Sequence, residues 1–66
     1  MTLETRIFKD LLERCETQNE AAELLGVSKQ QINRWKNKVK METCERLAKE
    51  LGYELVLKQD YRLKKL

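Results

Sequence analysis

Apolar residues recur at helical spacing along most of this chain. Leu3, Ile7, Leu11 and Cys15 stand four apart, and Phe8 and Leu12 widen the stripe. That pattern predicts an amphipathic helix over residues 3–15. Thr17 to Glu20 (TQNE) then forms a capping box. The threonine hydroxyl takes the backbone N–H of Glu20, and the Glu20 carboxylate reaches back. The helix it opens carries Ala21, Ala22, Leu24 and Leu25, a face with small residues suited to close packing. Gly26 follows at a position that accepts left-handed backbone. Only Gly26 and Val27 separate this helix from a second capping box, Ser28 to Gln31 (SKQQ). A third helix is therefore predicted from Lys29 through about Trp35 or Asn37, with Ile32, Trp35 and Val39 on its buried side. Cys44, Leu47, Ala48 and Leu51 define a fourth helix over residues 42–51, closed by Gly52.

After Gly52 the period changes. The segment YELVLK (Tyr53 to Lys58) alternates in part and is rich in β-formers, which predicts a short strand. Gln59 and Asp60 could turn the chain, with Tyr61 to Lys64 running back as a second strand. A frayed basic tail or a short helix competes for residues 59–66. A lone strand leaves backbone groups unpaired and needs a partner from the same chain or another copy. Tyr53, Leu55, Val56 and Leu57 are accordingly expected to form a dimerisation element. The fold class expected is mainly α: a four-helix bundle with a short C-terminal β-strand or hairpin, in one domain over residues 1–66.

With 66 residues, such a domain buries only roughly 60% of its unfolded surface. The core is thin, and a walled catalytic pocket is hard to build. Histidine is absent, which removes the commonest proton-transfer side chain near neutral pH and the commonest metal ligand. No enzyme activity, metal or cofactor is expected. Cys15 and Cys44 fit no close-spaced ligand pattern. Both lie on apolar helical stripes and are read as reduced core residues, which places the protein in the cytoplasm. No stretch is long or apolar enough to span a membrane, and no signal peptide is expected.

The net charge of +3 hides an asymmetry. Residues 1–25 set Arg6, Lys9 and Arg14 against Glu4, Asp10, Glu13, Glu16, Glu20 and Glu23. From Lys29 to Lys40 the charges are Lys29, Arg34, Lys36, Lys38 and Lys40, with no acid among them. Charge alone is balanced between a polyanion partner and a solvated lysine-rich face.

The paired caps change that balance. Two short capped helices joined by a glycine turn form a helix-turn-helix unit, whose second helix enters the DNA major groove while the first braces it. Ala22 supplies the small residue where the helices cross, Gly26 the turn glycine, and Ile32 the apolar anchor. On a 100° wheel the outward side of the third helix holds Gln30, Asn33, Arg34 and Asn37. Gln30 and Asn33 can pair with adenine through two hydrogen bonds, and Arg34 can grip guanine or a phosphate. Core packing, rather than stacking on a base, is the role expected of Trp35. Lys36, Lys38 and Lys40 suit phosphates; Lys64 and Lys65 are weaker candidates.

The segment QNEAAELLGVSKQQINRW (Gln18 to Trp35) resembles the helix-turn-helix of the lambda-repressor-like family, which includes phage Cro and repressor proteins and XRE-type bacterial regulators. CERLAKELG (Cys44 to Gly52) resembles the next core helix of that family. The resemblance covers roughly residues 5–52. It implies a compact helical bundle and recognition of a double-stranded operator, usually by a dimer. It also implies that Gln18 sits near a phosphate, that Ser28, Lys29 and Gln30 open the recognition helix, that Asn33 and Arg34 follow along it, and that backbone contacts come from Lys36, Asn37, Lys38 and Lys40. Lys36–Met41 lacks the glycine and proline common in the family, so this loop could equally extend the third helix. The function expected is a Cro-like or XRE-type repressor that binds a pseudo-palindrome as a homodimer. A second reading is an antitoxin or anti-regulator that binds a protein through its acidic first helix and YELVLK strand.

Overall fold

The computed structural model describes residues 2–66. Four helices and a hairpin follow in chain order: α1 (Leu3–Arg14), α2 (Gln18–Leu25), α3 (Lys29–Trp35), α4 (Met41–Glu50), β1 (Tyr53–Leu57) and β2 (Tyr61–Lys65). This is the mainly α bundle expected from the sequence.

Three of the four helix starts carry a side-chain cap, whereas α4 follows extended Lys40 without one. Thr2, whose role the sequence reading missed, caps α1 by accepting the Thr5 N–H at 3.2 Å. Thr17 caps α2 by accepting the Glu20 N–H at 3.1 Å, and the Glu20 carboxylate accepts the Glu16 N–H at 3.2 Å, one residue before the cap. Ser28 caps α3 by accepting the Gln31 N–H at 3.2 Å. Gly26 ends α2 with φ +68°, a conformation costly to a residue with a Cβ. Its N–H donates to the Glu23 carbonyl at 3.2 Å, and the Val27 N–H donates to the Ala22 carbonyl at 2.9 Å. These two bonds form a Schellman closure, which stops α2 and turns the chain toward α3.

The core gathers from every helix. Ile7, Phe8 and Leu11 of α1 meet Ala21, Ala22 and Leu25 of α2, Ile32 of α3, and Cys44, Leu47 and Ala48 of α4. The alanines allow backbones to approach closely where a longer side chain would hold them apart. Both cysteines are free and buried. The Cys44 thiol donates to the Glu4 carbonyl at 3.3 Å. Burial, reinforced by the Glu4 carboxylate, pushes this thiol up to about 11. Few thiolates form at neutral pH, so Cys44 acts as a small apolar residue.

The competing paths at both ends of α4 are resolved. After Trp35 the helix does not run on. The amides of Asn37 and Lys38 both donate to the Arg34 carbonyl, at 3.1 and 3.2 Å, and the chain then turns away. Val39, 7% exposed, pins the loop to the core, and Lys40 adopts extended backbone before α4. At the other end, residues 59–66 are neither frayed tail nor helix. Antiparallel β2 returns along β1 with Tyr53 opposite Lys65, Leu55 opposite Leu63, and Leu57 opposite Tyr61.

The partner strand therefore comes from the same chain. Tyr53, Leu55, Tyr61 and Leu63 pack against the helical core. A row one turn apart on α1 holds the hairpin in place. The Tyr61 hydroxyl donates to Asp10 Oδ2 at 2.9 Å, while Arg14 Nε donates to Asp10 Oδ1 at 3.2 Å. The Arg14 guanidinium lies 4.9 Å from the centre of the Tyr53 ring, and that of Arg6 lies 5.8 Å from the Tyr61 ring. Burial and the bond to Asp10 raise the Tyr61 phenol above its ordinary value.

Candidate nucleic-acid interface

Ile32, wholly buried, anchors the seven-residue α3 and so decides which side faces outward. Lys29, Gln30, Asn33, Arg34 and Asn37 are all exposed on the other side. Ser28 is exposed too, with its oxygen engaged in the cap. Among the described residues no intrachain hydrogen bond holds the side chains of Gln30, Asn33 or Asn37, leaving their donors and acceptors free for a ligand. The cap itself carries weight in so short a helix. Ser28→Ala is expected to cost about 1 kcal/mol, the usual contribution of a serine cap. Chemical denaturation checks it; an unchanged midpoint counts against the cap's importance.

Trp35 is half-buried at the far end of α3. Its ring meets Phe8 edge to face, centroids 5.9 Å apart at 82°. Its packing role is as expected, and it ties the end of α3 to α1. Trp35 also borders a shallow depression with Lys38, Val39, Lys40 and Thr43. Thr43, from the first turn of α4, was missed in the sequence. Its hydroxyl is a plausible phosphate donor in type, but nothing in the local pattern separates it from any threonine near a helix start. A second depression is lined by Lys9, Leu12 and Glu13 of α1, Gln18 of α2 and Lys36 at the end of α3. Two basic depressions thus flank the end of α3, one holding Lys38 and Lys40, the other Lys36 and Gln18.

Electrostatics set this surface apart. The ion pairs among the described residues are Arg6 with Asp60 and Arg14 with Asp10, both on the hairpin side of α1. None of Lys29, Arg34, Lys36, Lys38 and Lys40 has a carboxylate within ion-pair distance. Their charge is therefore uncompensated by the chain itself and open to a polyanion. Among the described residues no group of three or more Cys, Asp or Glu side chains converges as a metal site. No described helix is long and apolar enough to cross a membrane.

The residues assigned to dimerisation are divided by the hairpin. Tyr53 and Leu55 turn toward the chain's own core, whereas Leu57 is 44% exposed at the hairpin end. Val56, opposite Arg62, is on the outer face.

A capped helix, a left-handed glycine turn and a second capped helix with a polar outer side define a helix-turn-helix DNA-binding unit. The sequence model of a family described as helix-turn-helix matches residues 17–58, from the cap of α2 to the end of β1. The chain belongs to this helix-turn-helix family, of the XRE and lambda-repressor type. That family is one of DNA-binding regulatory domains. Neither the curated proteins nor the solved structures give a match to the chain.

Proposed function

We propose that this protein is a sequence-specific transcriptional repressor, Cro-like or XRE-type, that binds a pseudo-palindromic double-stranded operator as a homodimer. The observation that carries the reading is the outward side of α3. Gln30, Asn33 and Arg34 stand exposed there, unbonded to the chain and surrounded by lysines without acidic partners. Gln30 and Asn33 read base edges in the major groove, Arg34 grips a guanine or a phosphate, and Lys29 and Asn37 sit at the two ends of the contact. Gln18, Lys36, Lys38 and Lys40 take phosphates on either side and set the register without reading sequence. Selection of bound duplexes from a random pool tests this. The expected result is two related half-sites about one helical turn apart. Enrichment of no common sequence would refute it.

In this proposal the dimer forms through the hairpin. Arg6, Asp10 and Arg14 face the hairpin from one flank of α1, while Lys9, Leu12 and Glu13 face α2 and α3 from the other. A two-fold axis on the hairpin side therefore keeps both recognition helices clear of the contact. Tyr53 and Leu55 support the strand from beneath, while half-buried Val56 on the outer face and exposed Leu57 at the hairpin end are the apolar positions left for a second copy. Removing the whole hairpin would uncover the monomer core, so point changes are the better probe. A Val56→Lys, Leu57→Lys variant is expected to sediment as a folded monomer at concentrations where the parent dimerises. An unchanged monomer–dimer equilibrium places the interface elsewhere.

A further inference from the structure

The depression at the junction of α1, α2 and the end of α3 holds groups that are far apart in sequence. Lys9, Gln18 and Lys36 line it, with Leu12 and Glu13 completing its wall, and it encloses about 430 Å³. Two ammonium groups from separate elements share this hollow. Among the described residues neither lies within ion-pair distance of a carboxylate, Glu13 included. Neither is locked in an ion pair, so both remain available to an anionic strand laid over the hollow. Gln18 adds a neutral amide that can donate a hydrogen bond to the same strand. Lys36 is the residue that closes α3, so an anion held here sits at the rim of the surface that meets the groove.

The geometry points to a phosphate clamp in which Lys9 of α1 joins Gln18 and Lys36 on the strand backbone, each lysine neutralising its own of two adjacent phosphates of the bound duplex. α1 then belongs to the DNA interface, although its overall composition is acidic. Lys9 is the added positioning residue. Glu13, on the same wall, opposes the phosphates and holds affinity down. This inference rests on the reading of α3 as the helix that enters the groove.

The salt dependence of duplex binding provides the test, because each neutralised phosphate contributes about 0.9 to the slope of log affinity against log salt. Lys9→Gln is expected to lower that slope by about 0.9. Between 50 and 200 mM salt, the variant should then lose about 3.5-fold less affinity than the parent. The weakening should be equal on the selected operator and on an unrelated duplex, since a phosphate contact carries no sequence information. Lys9→Arg should retain the parental slope. Glu13→Gln should raise affinity on both duplexes. A parental slope in Lys9→Gln, or no gain from Glu13→Gln, overturns the clamp. Failure of the parent to bind any duplex overturns the reading of α3 itself. Loss of operator preference on changing Gln30 and Asn33, beside a parental slope in Lys9→Gln, rejects the clamp alone.

Discussion

A Gln30→Ala, Asn33→Ala double variant is expected to remain folded yet lose most of its preference for the operator over an unrelated duplex. Both side chains are exposed, and neither takes part in an intrachain hydrogen bond among the described residues. Their truncation therefore leaves no buried group unsatisfied, and alanine favours the helix more than asparagine does. Each two-bonded base contact contributes about 1–3 kcal/mol of discrimination. Losing both removes about 2–6 kcal/mol, or ~30-fold to ~10⁴-fold in preference. Affinity for the unrelated duplex should change little, because lysine–phosphate attraction supplies it. Competition binding with the two duplexes, beside a thermal melt, is the measurement. Retained operator preference in a folded variant would exclude base reading by these two residues.

Phe8→Ala is the change expected to harm the protein most. Phe8 is wholly buried and heads the largest buried side chains, together with Ile7, Leu11, Ile32 and Leu47. Truncating a buried phenylalanine costs about 3–5 kcal/mol, from lost transfer energy and the cavity left behind. A domain of this size has about 3–10 kcal/mol of total stability. The variant should therefore lose about a third to all of its stability. The edge-to-face contact with Trp35 ties the loss to the interface, because the end of α3 then has less to rest on. Phe8→Leu keeps an apolar group in the space and should cost clearly less. Denaturant titration of both variants checks the order; equal stability would place Phe8 outside the cooperative core.

Much of the site was legible before any tertiary contact was known, because its determinants are short-range. The Thr17 and Ser28 caps act over three residues, and the Gly26 turn acts over five. Ile32 gives α3 its inward side, so the opposite positions, Gln30, Asn33 and Arg34, follow from the helical period. Where the determinant was a distant residue, the sequence left alternatives. The loop after Trp35 was ambiguous because its anchor, Val39, acts only against a core assembled from other helices. Tyr53 and Leu55 were read as dimer contacts because β-formers on a strand indicate burial without saying against what. Thr43 and Lys9 drew no attention, since each gains a neighbour of the right chemistry only when elements far apart in the chain meet.

By itself, the sequence determined the starts of α2 and α3, the glycine turn between them, and which side of the recognition helix carries the hydrogen-bonding residues. Those features depend on backbone conformation and on hydrogen bonds that close within one turn. Tertiary structure alone decided that β2 completes β1 and that Asp10 receives both Tyr61 and Arg14. It also decided that Lys9 shares a hollow with Lys36. These meetings join residues whose proximity depends on how the whole chain packs, and no local pattern encodes the distance between them.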